Sequence, residues 1–338
     1  MKRINNLYKN IISIDNLRLA DKKARRGKFN NYGVKIFDKN KEENLIKLHE
    51  SLKNKAFRTS EYSIFTVHDP KEREIYRLPY YPDRIVHHAI MNILEPVWVS
   101  IFTSDTYSCI KGRGINGAMN GVKKVLHDIE NTTYCLKIDI KKFYPSINHD
   151  VLKQIIRRKI KCKDTLWLLD EIIDSTDGVP IGNYLSQYFA NLTLAYFDHW
   201  IKEVKKVKYY FRYADDMVFL SNNKNKLRSL LLDIKEYLKT LKLELKGNEQ
   251  IFPISENRYD KNGRGLDFIG FVFYHKQTSI RKRIKKKFCR KASLLKNRYV
   301  SPNDYKRYLC GWKGWAKYSN SRNLIRKIIK PEYYDAFL

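Results

Sequence analysis

The residues best equipped for chemistry are two adjacent carboxylates, Asp215 and Asp216. They sit inside the stretch 207–221, VKYYFRYADDMVFLS, between two apolar runs that read as the strands of a hairpin. Like charges side by side at a turn favour solvent or a cation, and an isolated Asp-Asp pair is most simply a solvated turn. A third carboxylate argues against that. Asp139 ends Cys135-Leu136-Lys137-Ile138, the apolar centre of a strand expected over 133–141. If the strands at 133–139 and 209–220 share one sheet, Asp139 joins Asp215 and Asp216. Three clustered carboxylates require cations, and Mg²⁺ suits an all-oxygen donor set whose shell is completed by phosphates. Two such ions about 3.5–4 Å apart activate an attacking hydroxyl and stabilise the leaving oxygen of an in-line displacement.

The elements that must carry these residues alternate. Residues 1–60 are polar, basic and helix-compatible. Residues 61–100 begin extended and turn helical, with Ile85, His88, Ala89, Asn92 and Ile93 at helical spacing. Asn148 is a good N-cap for a helix to about Lys159. A helix over 184–203 carries Phe189, Leu192, Tyr196 and Trp200 on one stripe. Leu227, Leu230, Leu231, Ile234, Leu238 and Leu241 mark another. Strand-like pieces follow at 242–246, 250–254 and 267–274, and the tail from 281 is helical, basic and aromatic.

Lys and Arg number 67 against 36 Asp and Glu, a net charge of +31. That excess makes a small metabolic enzyme unsuitable and indicates a polyanion, most often nucleic acid. It is concentrated at the end: residues 281–338 hold 18 basic and 3 acidic side chains. The chain of 338 residues, 43% hydrophobic and 13% aromatic, has ample material for a packed core of about two domains. The five cysteines show no zinc-ligand spacing and read as free thiols in a reducing cytoplasm. No apolar run is long enough for a membrane span, and the first residues lack the apolar centre of a signal peptide, so a cytoplasmic protein is expected.

Taken in order, these segments resemble the motifs of reverse transcriptases. EREIYRLPYYPDRIVHHAIMNILEP at 72–96 resembles their fingers motif, and LKIDIKKFYPSI at 136–147 the motif of the first aspartate. GVPIGNYLSQYFANLTLAYFDHW at 178–200 resembles the segment lying against the template and nascent pair. YADD at 213–216 resembles the signature box, the helix from 226 with LKLELKGNE the next motif, and LDFIGFVF at 266–273 the primer grip. Ile181-Gly182-Asn183-Tyr184-Leu185-Ser186-Gln187, with an aliphatic residue before Gly and Ser-Gln in place of Ser-Pro, is similar to diversity-generating retroelement reverse transcriptases, as is DRIVHHAIMNILEP.

The resemblance implies an α+β right-hand polymerase. Its parts would be an N-terminal extension and fingers over 1–131, a palm with a small antiparallel sheet over 132–278, and a short helical thumb over 279–338. It implies RNA-directed DNA synthesis, copying a template-repeat RNA into cDNA with errors at adenine for gene diversification. The partners would be template RNA, primer, dNTPs and a small basic accessory variability protein. Asp139, Asp215, Asp216 and the backbone carbonyl of Ile140 would hold two Mg²⁺ ions, with Mn²⁺ as a substitute. Tyr144 would pack under the sugar and exclude a 2′-hydroxyl, unless Phe143 and Tyr144 are both core. Arg73 and Arg84 would grip the triphosphate, with Lys71 and Arg77 as weaker candidates; the alternative is ion pairing with Glu72, Glu74 and Asp83. His87 and His88 have no assigned catalytic role.

Ile181 would pack, with Gly182, at the nascent pair, where a Gln could instead hydrogen-bond. Lys285, Lys286, Lys287 and Arg290 in the basic run 281–291 would follow a phosphate backbone. Trp312, Trp315 and Tyr318 read as thumb core. The alternatives are a retron or phage-defence reverse transcriptase, and a non-catalytic RNA-binding scaffold with the same fold.

Overall fold

The structure is a computed structural model, and it describes residues 3–68, 72–296 and 301–336; Lys71 lies outside them. The chain folds as two compact units built from interleaved segments. One takes Met1–Ile110, Asp139–Lys206 and Asp233–Gly247; the other takes Lys111–Ile138, Val207–Leu232 and Asn248–Leu338.

The first unit opens with four helices, Tyr8–Ile12, Ile14–Ala24, Tyr32–Lys39 and Lys41–Lys53. A two-stranded ribbon follows, with β1 (Ser63–Val67) antiparallel to β2 (Arg73–Arg77). A π-type turn, Tyr80–Arg84, broken by the extended residue Tyr81 (φ −114°, ψ 135°), leads into the helix Ile85–Val99. That helix is apolar on more than one stripe. Ile85, Val86, Ala89, Ile90, Leu94 and Trp98 are all fully buried, so it runs through the core instead of lying on it. Asn148 caps the helix His149–Arg157, its side chain accepting from Val151 N, as its position predicts. The helix expected over 184–203 is three pieces: Ser186–Thr193, Ala195–His199 and a π-turn Trp200–Val204.

The second unit carries a four-stranded sheet. Its strands are β3 (Tyr134–Asp139), β4 (Tyr209–Tyr213), β5 (Asp216–Ser221) and β6 (Gln250–Pro253), in the order β4-β5-β3-β6. β4 and β5 form an antiparallel hairpin, as the two apolar runs around an acidic centre predict, and β5 neighbours β3. The long helix marked by the leucine stripe is present as Lys224–Thr240. A three-stranded antiparallel sheet follows: β7 (Leu266–Phe268), β8 (Phe271–Phe273) and β9 (Thr278–Ile280). The expected strand at 267–274 is therefore a hairpin turning at Ile269 and Gly270, both with positive φ, 45° and 89°. A Cβ on Gly270 would stand 2.5 Å from the Trp315 ring, so only glycine fits the turn. The piece at 242–246 forms no strand; its ladder is a single bridge between Ile140 and Leu245.

Three C-terminal helices, Lys282–Lys296, Pro302–Lys317 and Arg322–Ile328, pack around Phe288, Ala292, Tyr305, Leu309 and Ile325. Trp312 stacks on Phe288 at 5.3 Å and Trp315 lies on Phe271 at 4.9 Å, so both are core residues. All five cysteines are free thiols. No described helix is long and apolar enough to cross a membrane.

Candidate active site

Within the first unit, a pocket of about 200 Å³ is lined by Arg84, Tyr144, Ile181, Gly182, Asn183, Tyr184, Ser186 and Gln187. Four of these are residues that the sequence nominated separately. Arg84 arrives from the end of the π-turn and Tyr144 from the short helix Phe143–Ser146. Phe143 and Tyr144 divide the two roles left open for them: Phe143 is buried, and Tyr144 lines the pocket.

Ile181 and Gly182 are fixed by β2. Tyr76 N donates to the Ile181 carbonyl at 2.8 Å. Gly182 has φ +125°, and a Cβ there would stand 2.4 Å from the Tyr76 carbonyl oxygen, so the ribbon approaches only a glycine this closely. Asn183 is held by a bond from its side-chain amide to the Tyr62 hydroxyl at 2.9 Å, and Tyr184 stacks on His88 at 4.3 Å. Ser186 and Gln187 entered the sequence reading only as the Ser-Gln of the quoted motif, and neither they nor Asn183 and Tyr184 were given a role there.

Arg84 is the pocket's charged group. Its Nε is buried and meets no hydrogen-bond partner among the described residues. Burial pulls its pKa below the ordinary arginine range, and Arg77 alongside adds to this. A buried guanidinium N–H without a partner is a donor suited to an anion. Arg77 lines an adjoining pocket of about 560 Å³ with Lys28, Arg84 and His87. Arg73 stands at the exposed start of β2 and is not among the described residues lining either pocket. Burial pushes His87 down to about 3 and His88 to about 4, so both are neutral packing residues near neutral pH.

The carboxylates are placed by backbone geometry. Asp139 is the last residue of β3, and Asp216 is the first residue of β5, the neighbouring strand. Tyr213 pairs with Asp216, so the hairpin tip is only Ala214 and Asp215. Ala214 has φ +55°, a left-handed conformation that costs a non-glycine residue about 1 kcal/mol. Fully buried Arg212 donates to the Ala214 carbonyl at 3.2 Å and supports the tip from below.

Cations meet these acids. Lys246 Nζ donates to Asp139 Oδ2 at 2.8 Å, and Lys137 Nζ lies 3.4 Å from Asp216 Oδ2. The segment 244–246 also clamps the chain after β3: Lys246 N donates to the Asp139 carbonyl at 3.0 Å, and Lys141 N to the Glu244 carbonyl at 2.9 Å. Those two bonds come from the neighbours of Ile140 and do not use its own carbonyl. Among the described residues, no group of three or more His, Cys, Asp or Glu side chains is gathered to hold a metal ion. Carboxylates are the hard oxygen donors a divalent ion takes, and two of the three, Asp139 and Asp216, are met by ammonium groups. Lys137, Lys246 and Arg212 were invisible as partners in the sequence, where they read as ordinary basic residues.

Part of the basic run forms one face of the helix Lys282–Lys296, and Lys285 is not on it. Arg283, Lys286, Lys287 and Arg290 recur at helical spacing and line one depression. Phe288 and Ala292 are buried on the opposite face, while Lys285 is exposed.

Comparison with known proteins places these features. Protein YkfC of Escherichia coli is 27% identical over 139 residues, covering 37% of this chain and 36% of its own length. Nuclear intron maturase 4, mitochondrial, of Arabidopsis thaliana is 23% identical over 181 residues, covering 50% of this chain and 22% of its own. The chain thus spans about a third of the Escherichia coli relative and less of the plant one. Among solved structures, Candida tropicalis telomerase bound to a fragment of telomeric RNA aligns with TM-score 0.51 and 13% identity, over 83% of this chain and 58% of that one. A C-terminally truncated apo form gives TM-score 0.52 at 13% identity, over 66% and 55%. At that identity the likeness is one of fold, the right-hand polymerase fold. Residues 69–248 match the family described as reverse transcriptase (RNA-dependent DNA polymerase), more than half of the chain, and the protein belongs to that family.

Proposed function

We propose that this protein copies RNA into DNA, with the pocket at Arg84, Tyr144, Ile181 and Gly182 taking the incoming dNTP. The observation that carries this assignment is the Arg84 Nε, buried and without a partner among the described residues, in a pocket shared with the Tyr144 ring and the glycine-pinched strand. Arg84 binds the triphosphate, and Arg73 and Arg77 on β2 add positive charge to the approach. The Tyr144 ring packs beneath the sugar and leaves no room for a 2′-hydroxyl. Ile181 and Gly182 bear on the nascent base pair. Asp139, Asp215, Asp216 and the Ile140 carbonyl would hold two Mg²⁺ ions, with Mn²⁺ as a substitute. When bound, the metal supplies activation of the primer 3′-hydroxyl and charge stabilisation at the α-phosphate. The adjacency of β3 and β5 supports this grouping. Fingers, palm and thumb are assigned to 1–131, 132–278 and 279–338, with Lys285, Lys286, Lys287 and Arg290 of the thumb on the template–primer backbone.

The finer assignment is to the diversity-generating class, which makes adenine-mutagenised cDNA from a template-repeat RNA with an accessory variability protein. Ile181 in the pocket supports it, since an aliphatic side chain there packs without a directional restraint on the pair. The name of the Arabidopsis relative favours a second assignment, an intron-associated reverse transcriptase. Primer extension on one defined RNA with dNTPs and Mg²⁺, followed by cDNA sequencing, separates the possibilities. Extension with errors concentrated at template adenine is the expected result. Extension with evenly spread errors supports the intron or retron type, and no extension leaves an RNA-binding scaffold.

A further inference from the structure

Asp21, on the helix Ile14–Ala24, is fully buried and has no place in the chemistry assigned above. Arg25 Nη2 donates to its two oxygens at 2.7 and 2.8 Å, Lys41 Nζ lies 3.0 Å away, and the Tyr80 hydroxyl donates to it as well. A buried carboxylate paired on every side contributes little net stability over an apolar replacement, but it fixes geometry sharply.

What it fixes is the start of the π-turn Tyr80–Arg84. The turn's other side chains are tied down too. The Tyr81 hydroxyl donates to the Asn44 carbonyl at 3.0 Å, and Asp83 accepts from Ser60 N at 3.0 Å. The Tyr80 ring meets Phe37 edge-on at 5.6 Å. A Cβ on Gly33 would come within 3.1 Å of Tyr80 Cβ, so the helix Tyr32–Lys39 lies tight against the turn. Arg84 Nε, like the second oxygen of Asp83, is buried and meets no partner among the described residues. Its place in the pocket is therefore set by the backbone beneath it.

We infer that Asp21 is a positioning residue: by accepting the Tyr80 hydroxyl, it sets the turn that delivers the Arg84 guanidinium to the nucleotide pocket. The N-terminal helices are then part of the nucleotide site, although none of their side chains touches the reacting atoms. The inference rests on the assignment of that pocket to the incoming dNTP.

Tyr80→Phe tests it, removing one O–H while keeping the ring and its packing. Steady-state primer extension should show KM for dNTP raised about tenfold with kcat within about twofold, the signature of weakened binding geometry. Arg84→Ala should raise KM at least as much, and adding Tyr80→Phe to Arg84→Ala should raise it no further, because the hydroxyl acts through the guanidinium. Asp21→Asn should reproduce the Tyr80→Phe effect; if that variant fails to fold, the Tyr80 and Arg84 pair still decides. An unchanged KM in Tyr80→Phe, or independent effects multiplying in the double variant, overturns the inference and leaves the pocket assignment standing. An unchanged KM in Arg84→Ala removes both.

Discussion

The pocket and the acidic hairpin show two ways of building a site. The pocket is shaped by backbone: β2 presses on Gly182, Tyr76 holds the Ile181 carbonyl, and a single arginine supplies charge. The hairpin is organised by charge: buried Arg212 supports the tip, Lys137 meets Asp216, and Lys246 meets Asp139. Backbone shape discriminates among substrates, whereas charge drives the chemical step. Changes to the hairpin should therefore alter rate, and changes to the pocket should alter choice.

The largest effect is expected from Asp215→Asn or Asp139→Asn. Either should lower dNTP incorporation about 10³-fold or more, because an amide cannot supply the charge that holds a divalent ion. RNA binding, read by a filter or gel assay, should be nearly unchanged, and wild-type extension would take that residue out of the site. Next is Tyr144→Ala, which should raise ribonucleotide incorporation about tenfold or more by opening space beside the sugar. Competing rNTP and dNTP in one extension reaction gives that ratio directly; if it stays constant, another group is the gate.

A smaller effect belongs to Ile181→Gln. It should lower misincorporation opposite template adenine about tenfold, equivalent to about 1.4 kcal/mol of discrimination, and more than opposite other bases. Sequencing cDNA from one defined RNA measures it, and equal adenine error spectra would show that the side chain does not set fidelity. The smallest change per residue concerns neither region. Replacing Lys285, Lys286 and Lys287 with Gln should weaken template–primer binding and reduce its salt slope by about 1 for each phosphate no longer neutralised. An unaltered slope would place that face against something other than nucleic acid.

Most of the elements that carry the nominated residues were legible because they follow local rules. The two apolar runs of 207–221 marked the hairpin, the apolar run before Asp139 marked β3, and Asn148 announced its helix. Misreadings arose where a distant partner decides. LKLEL at 241–245 has strand alternation, yet only Leu245 finds a bridge, opposite Ile140. The break at Leu194 in the helix expected over 184–203 carries no Gly or Pro signal. Asp21 and Tyr80 are 59 positions apart, and nothing local distinguishes that aspartate from the exposed Asp15 near the start of the same helix. Arg212 reads as a surface cation by type, and only the sheet around it makes it a buried support.

The interleaving of the two units also bears on how the polypeptide acquires its structure during synthesis. β3 leaves the ribosome about 75 residues before its neighbour β5, and its other neighbour, β6, comes later still. The first unit lacks its last segment until Gly247 has been made. Neither unit can close while the other is unwritten, so the sheet must form by long-range pairing late in translation, a topology associated with slow folding and exposed strand edges. The same connectivity means that a single cut cannot separate the units into independently complete pieces. A strategy for splitting this protein into two expressible halves would have to rejoin segments that the gene keeps apart.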